Sequence, residues 1–189
     1  FSGTMIMRLV LIIAQFCWLV VAFPSSQCLA QDQIKRFQIR VGSFLHDPLS
    51  PEKGSVDGNL EFLGPHLPIA LSKAYQSLVP RPHIGATLNT ANKTSEAYVG
   101  LSWGLFLTDR IFAEASFGGA VNNGKVGVIP VPAHNALGCV GSFRESGSLG
   151  YKISGTVTIM TTVEHISNAG LCSRNRGLTN GGVRIGYSF

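Results

Sequence analysis

Residues 155–189 read GTVTIMTTVEHISNAGLCSRNRGLTNGGVRIGYSF, and their alternation decides the fold. Successive side chains on a strand point to opposite faces. Val157, Ile159, Thr161, Val163, His165 and Ser167 therefore share one face, while Thr156, Thr158, Met160, Thr162 and Glu164 share the other. At the end of the chain Val183, Ile185, Tyr187 and Phe189 alternate with Arg184, Gly186 and Ser188. Segments of about 10 residues with one apolar and one polar face, bounded by aromatics, are the pattern of outer-membrane barrels. The edge of a soluble β-sandwich carries the same alternation and is the rival architecture. In a barrel, His165 and Ser167 emerge toward lipid. Polar groups there make sense if the substrate is itself a lipid.

Composition points the same way. The chain has 189 residues, of which 13% are charged and 22 are glycine, and its mean hydropathy is +0.25. That is one apolar, turn-rich domain rather than two. The net charge of +5 is spread along the chain without a basic stripe, which argues against nucleic acid and leaves phosphate-bearing lipid as the better partner.

Phe1 to Thr4 precede the first Met and read as upstream residues. Arg8, the uncharged run Leu9 to Phe23 and the small residue closing Cys28-Leu29-Ala30 read as a secretory signal peptide cleaved near Ala30. A signal anchor is the alternative, since the run approaches the ~20 residues of a spanning helix. The expected organisation is residues 1–30 as leader and 31–189 as one barrel domain. No second long apolar run follows, so a membrane location for the mature part requires strands. Eight are expected, at 36–46, 55–64, 81–90, 95–107, 110–121, 142–153, 155–167 and 180–189. The clearest is the fourth, with Ala97, Val99, Leu101, Trp103 and Leu105 against Glu96, Tyr98, Gly100, Ser102 and Gly104. With both ends in the periplasm, the outer loops follow the odd strands. Residues 65–80 are long for an inner turn and read as a short helix under the barrel. Cys139 and Cys172 fall in the third and fourth outer loops, where an oxidising compartment permits a disulfide, two unrelated thiols being the alternative.

The segment Glu164 to Leu171, EHISNAGL, carries the most specific signal. Together with the preceding LGY (Leu149 to Tyr151), Asn175 and the aromatic C-terminus, it resembles the lipid A 3-O-deacylase (PagL) family of outer-membrane proteins, most firmly over 142–189. The resemblance implies an eight-stranded antiparallel barrel in the outer membrane of a Gram-negative bacterium. It also implies a serine esterase that removes the ester-linked 3-hydroxyacyl chain at the 3 position of lipid A without metal or organic cofactor. Ser167 would be the nucleophile, His165 the general base, Asn168 and the Gly170 amide the oxyanion hole, and Asn175 a supporting residue. Serine needs a base to take its proton, and donors aimed at the oxyanion are a large rate term. Implied partners are lipopolysaccharide and outer-membrane lipids; a homodimer is left open.

The sequence departs from the family at one place. The acid that orients the histidine should fall near Thr179, yet no Asp or Glu follows Glu164. Glu164 itself faces away from His165 by parity. Glu145 shares the outward parity of the sixth strand, and the allowed registers set it opposite His165 or one step away, opposite Val163. A carboxylate on a lipid face is costly unless paired, so Glu145 is the expected orienting group, with Asn175 and Asn180 as uncharged substitutes. His46, His66, His83 and His134 lack metal-ligand spacing and read as surface or loop residues. Lys53, Lys93, Lys125, Arg174 and Arg176 fall in outer loops, where they would meet lipid A phosphates or solvent. The competing reading is a non-enzymatic eight-stranded barrel with an adhesive or structural role.

Overall fold

The computed structural model describes residues 36–72, 75, 78–127 and 131–189; the expected leader lies outside them. Eight antiparallel strands close on themselves: β1 (Gln38–Leu45), β2 (Val56–Leu63), β3 (Arg81–Asn89), β4 (Glu96–Phe106), β5 (Ile111–Asn122), β6 (Gly141–Lys152), β7 (Val157–Ser167) and β8 (Leu178–Ser188). The ring is sealed by β1 against β8, with Gln38 opposite Ser188 and Leu45 opposite Gly181. Closure leaves no free edge, which distinguishes a barrel from a sandwich.

The strands sort residues as their alternation requires. Val41, Leu60, Ile84, Val99, Phe117 and Ile185 stand on the outside, and Arg40, Glu61, Arg144, Glu164 and Arg184 are buried inside. A soluble protein has the reverse polarity. An apolar exterior around a polar interior is what a bilayer stabilises. The interior ions are paired. Arg40 chelates Glu114 at 2.6 and 2.7 Å and reaches Glu61 at 3.0 Å. Arg144 donates to Glu164 at 2.6 Å while its guanidinium lies 3.6 Å over the Tyr98 ring, and Arg184 bridges Glu61 and Glu164 at 3.3 Å each.

The end bearing the loops after the odd strands is capped in two layers. Leu137, from the β5–β6 connection, packs with Tyr98, Ala120, Ile166 and Leu178 as an apolar lid over the ionic lumen. Glu52, from the β1–β2 connection, lies in the buried layer above. Its carboxylate meets His46 Nε2 at 2.9 Å and accepts from Thr94 N, Thr94 Oγ1 and Asn135 N. Three connections are thus gathered on one side chain. Cys139 and Cys172 form a disulfide that ties the β5–β6 and β7–β8 connections together.

Three expectations need correction. The last strand starts at Leu178 rather than 180, because Thr179 N donates to Asp47 Oδ1 at 3.2 Å and Leu178 is buried under the lid. The short helix expected over 65–80 is absent from residues 64–72, where Gly64 N and Leu67 N donate to Pro82 O and Pro80 O and lengthen the β2–β3 hairpin. Among the described residues only Tyr75 and Leu78 are helical, as 3₁₀ turn, with Tyr75 N donating to Ser72 O at 2.9 Å. Residues 73–74 and 76–77 lie outside the description. His46 and His83, read as surface residues, are buried: His46 bridges Asp57 and Glu52 at 2.9 Å each, and His83 Nδ1 meets Ser102 Oγ at 2.9 Å. An inward-facing histidine finds partners on strands far away in sequence, which spacing alone does not reveal.

Candidate active site

The site is built from the outer ends of β6, β7 and β8. His165 and Ser167 lie two residues apart on β7, on its outward parity, about 7 Å apart at Cα by strand rise. Neighbouring Glu164 and Ile166 are buried. The two therefore project together, half-buried, on the barrel's outer surface.

The ladder supplies their neighbours. Glu145 on β6 stands opposite His165, the closer of the two registers allowed by parity. Phe143 stands opposite Ser167 and stacks on Phe117, ring centroids 6.1 Å apart, forming an apolar wall beside the hydroxyl. On the other flank, Thr179 of β8 stands opposite His165, and its Oγ1 lies 2.8 Å from His165 Nδ1. The imidazole is thus held by a hydroxyl at the position where the resemblance called for a carboxylate. Glu145 is exposed on the far side of the ring. When Nδ1 carries the proton and donates to Thr179, Nε2 has the free lone pair that a general base needs.

Gly177 completes the ring's seat. Its backbone has φ +72°, and a Cβ there would lie 2.7 Å from His165 Cε1 and 3.1 Å from Nε2. Glycine is required twice over, for the left-handed turn and for the space under the imidazole. Gly177 O accepts from Asn135 Nδ2 at 3.3 Å, and the same Nδ2 donates to Asp47 Oδ2.

The remaining expected residues fall into two groups. Asn168 is a correction. It follows Ser167 and so turns inward, where it is 2% exposed. Both of its amide hydrogens are spent, on Leu137 O and Arg174 O at 2.6 Å each, and its Oδ1 accepts Gly170 N at 2.9 Å. Asn168 braces the β7–β8 loop, and the Gly170 amide is held within that brace. Asn180 is a second correction: it faces the lumen, donates to Glu164 at 3.2 Å and accepts from Asp47 N at 3.1 Å, away from His165. Asn175 does not orient His165 either. Its Oδ1 accepts Asn168 N at 2.8 Å, and its half-exposed amide lies in the loop that follows Ser167. Of the loop cations, Lys93 Nζ is tied to Glu52 O and Lys53 O at 2.6 and 2.7 Å.

Asp47, Asn135 and Gly177 escape a reading of the sequence. Asp47-Pro48 reads as an ordinary turn, and Asn135 lies 88 residues from the Asp47 it contacts. Only the glycine before the last strand carries a local sign, as a candidate left-handed position.

Comparison with known proteins places the molecule. A family model described as lipid A 3-O-deacylase (PagL) matches residues 70–188. Among solved structures, the crystal structure of the outer membrane enzyme PagL is 18% identical with a TM-score of 0.57, over 80% of this chain and 98% of that chain. A de novo designed transmembrane β-barrel is 12% identical with a TM-score of 0.53, over 82% of this chain and 96% of that one. At these identities the two structures speak for the fold. No curated protein matches.

Proposed function

The chain belongs to the lipid A 3-O-deacylase (PagL) family, and on that premise we propose that it is an outer-membrane serine esterase that removes the ester-linked 3-hydroxyacyl chain at the 3 position of lipid A. One observation carries the reading: His165 and Ser167 share the outer face of a closed barrel, with the imidazole seated between Thr179 and Gly177. A soluble substrate has no reason to approach that face; a lipid in the surrounding leaflet already lies against it.

In this reading Ser167 Oγ attacks the acyl carbonyl as His165 Nε2 takes its proton. The imidazolium then returns that proton to the departing 3-hydroxyl of the sugar, leaving the acyl group on Ser167. Water, activated by the same nitrogen, hydrolyses the acyl-enzyme and releases the hydroxy fatty acid. With Asn168 committed to its brace, Asn175 is the side-chain donor for the oxyanion. The Phe143–Phe117 wall lines the acyl side of the carbonyl. No step calls for a metal or organic cofactor.

The test is direct. Refolded protein is incubated with lipopolysaccharide and the lipid A is weighed by mass spectrometry. Loss of one 3-hydroxyacyl group, abolished in Ser167→Ala, is the expected result. Intact lipid A from wild-type protein that migrates as a closed barrel overturns the esterase reading in favour of a non-enzymatic barrel.

A further inference from the structure

We infer that Thr179 is the positioning residue for His165 in place of a carboxylate, and that Asp47 acts through it by pinning the outer end of β8 from the opposite side of the sheet. The inference rests on the esterase reading of Ser167 and His165, and goes beyond it by assigning the third member of the site.

The geometry leads to Asp47 by two routes. First, Thr179 Oγ1 lies 2.8 Å from Nδ1, and the backbone N of the same residue donates to Asp47 Oδ1 at 3.2 Å. The hydroxyl is therefore not left to a fraying strand end; its own main chain is anchored. Second, Gly177, on which the imidazole sits, offers its carbonyl to Asn135 Nδ2, and that amide also donates to Asp47 Oδ2. Both residues touching the ring thus lead back to one carboxylate. Asp47 is 6% exposed and adopts φ +35°, a sparsely populated conformation for a non-glycine residue that persists only where surroundings impose it. Its own N–H donates to Asn180 Oδ1 at 3.1 Å, so it is held as well as holding.

The consequence is a base oriented by a neutral acceptor. With the proton on Nδ1, the threonine hydroxyl accepts it and holds the ring in place, but it carries no charge to stabilise the imidazolium, unlike the carboxylate of a Ser-His-Asp triad. Positioning survives and electrostatic assistance is reduced. Glu145, exposed on the other flank, does not hold the ring.

Steady-state release of hydroxy fatty acid from lipopolysaccharide separates these roles, with closed-barrel gel migration as the check on folding. Thr179→Val should lower kcat roughly 10- to 100-fold with KM within about twofold, the signature of a misplaced base. Thr179→Ser should restore most of the rate. Asp47→Ala should fall similarly and add little on top of Thr179→Val, because a residue acting through another is non-additive with it. Glu145→Gln should stay within a few-fold of wild type. A wild-type rate in Thr179→Val, independent multiplying effects of the two sites, or a loss carried by Glu145→Gln alone would each overturn the assignment. If Asp47→Ala fails to close its barrel, the valine and serine variants at the outward-facing position 179 still decide. Heteronuclear NMR of the imidazole nitrogens gives a readout free of turnover: Nδ1 is the protonated nitrogen in wild type, and that preference is lost in Thr179→Val. Active wild type with an inert Ser167→Ala keeps the esterase reading whatever the Thr179 series shows; inactive wild type removes the esterase reading, while the NMR result still judges the geometry.

Discussion

The smallest change with a calculable result is a methyl group at position 177. A Cβ there meets the His165 ring at 2.7 Å from one side while the backbone sits at φ +72°, so either the imidazole swings off Thr179 or the turn rearranges. Gly177→Ala should therefore cost about 100-fold in kcat, on the scale of a 1 Å misplacement of a catalytic group, with the barrel still closed. A wild-type kcat would mean that the ring rests elsewhere. At this scale the sequence was partly legible. Parity alone put His165 and Ser167 on the outside and set Glu145 within one register step of the imidazole. It could not say that Nδ1 turns toward Thr179 on the other flank, because two neighbours opposite the same residue are equivalent until side-chain contacts are known. Asn168 was misread for a related reason: a motif fixes which residues are present, and the break in the ladder after Ser167 decides what they face.

Between elements, the outer connections are held by an ion pair that titrates. Burial by itself lowers the pKa of His46, but the hydrogen bonds to Asp57 and Glu52 outweigh it and hold it up at about 9. Burial likewise raises that of Glu52, yet the His46 bond and the N–H groups of Asn135 and Thr94 bring it down to about 2. A histidine raised on folding contributes stability that is full below its unfolded value, near 6.5, and fades as pH climbs through 9; a depressed carboxylate contributes above about 4.5 and fades as pH falls through 2. The cap is accordingly best held near pH 5–6, between the two unfolded values. Limited proteolysis of the β1–β2 and β5–β6 connections should accelerate as pH is raised from 7 toward 10, and in His46→Gln that rise should vanish. A flat wild-type profile would count against the ion pair as the clasp. Little of this was visible in sequence, where His46 with Glu52, Thr94 and Asn135 lie in three separate connections without motif or period. The disulfide between Cys139 and Cys172 was more accessible, because topology puts two cysteines on the same end.

For the molecule as a whole, the strands and their count were readable because lipid outside and ions inside impose a strict period of two, with no second long apolar run to confuse it. What lies inside the ring was less so, since alternation names the inward residues without pairing them. Arg40, Arg144 and Arg184 against Glu61, Glu114 and Glu164 make a connected, buried network. Removing one partner of such a pair leaves an uncompensated charge, at a cost of about 3–5 kcal/mol. Arg184→Met, which removes the arginine that Glu61 and Glu164 share and leaves them to Arg40 and Arg144, should lower the urea midpoint of the refolded barrel, and an unchanged midpoint would show that the network is not structural. The seam of the ring carries a further consequence. Asp47 follows the first strand and Thr179 belongs to the last, so the contact that steadies the histidine spans the two ends of the chain. On the esterase reading, a polypeptide still in transit holds Ser167 and His165 on one stretch but lacks the contact proposed to steady the imidazole, so hydrolytic competence would arrive with closure of the cylinder.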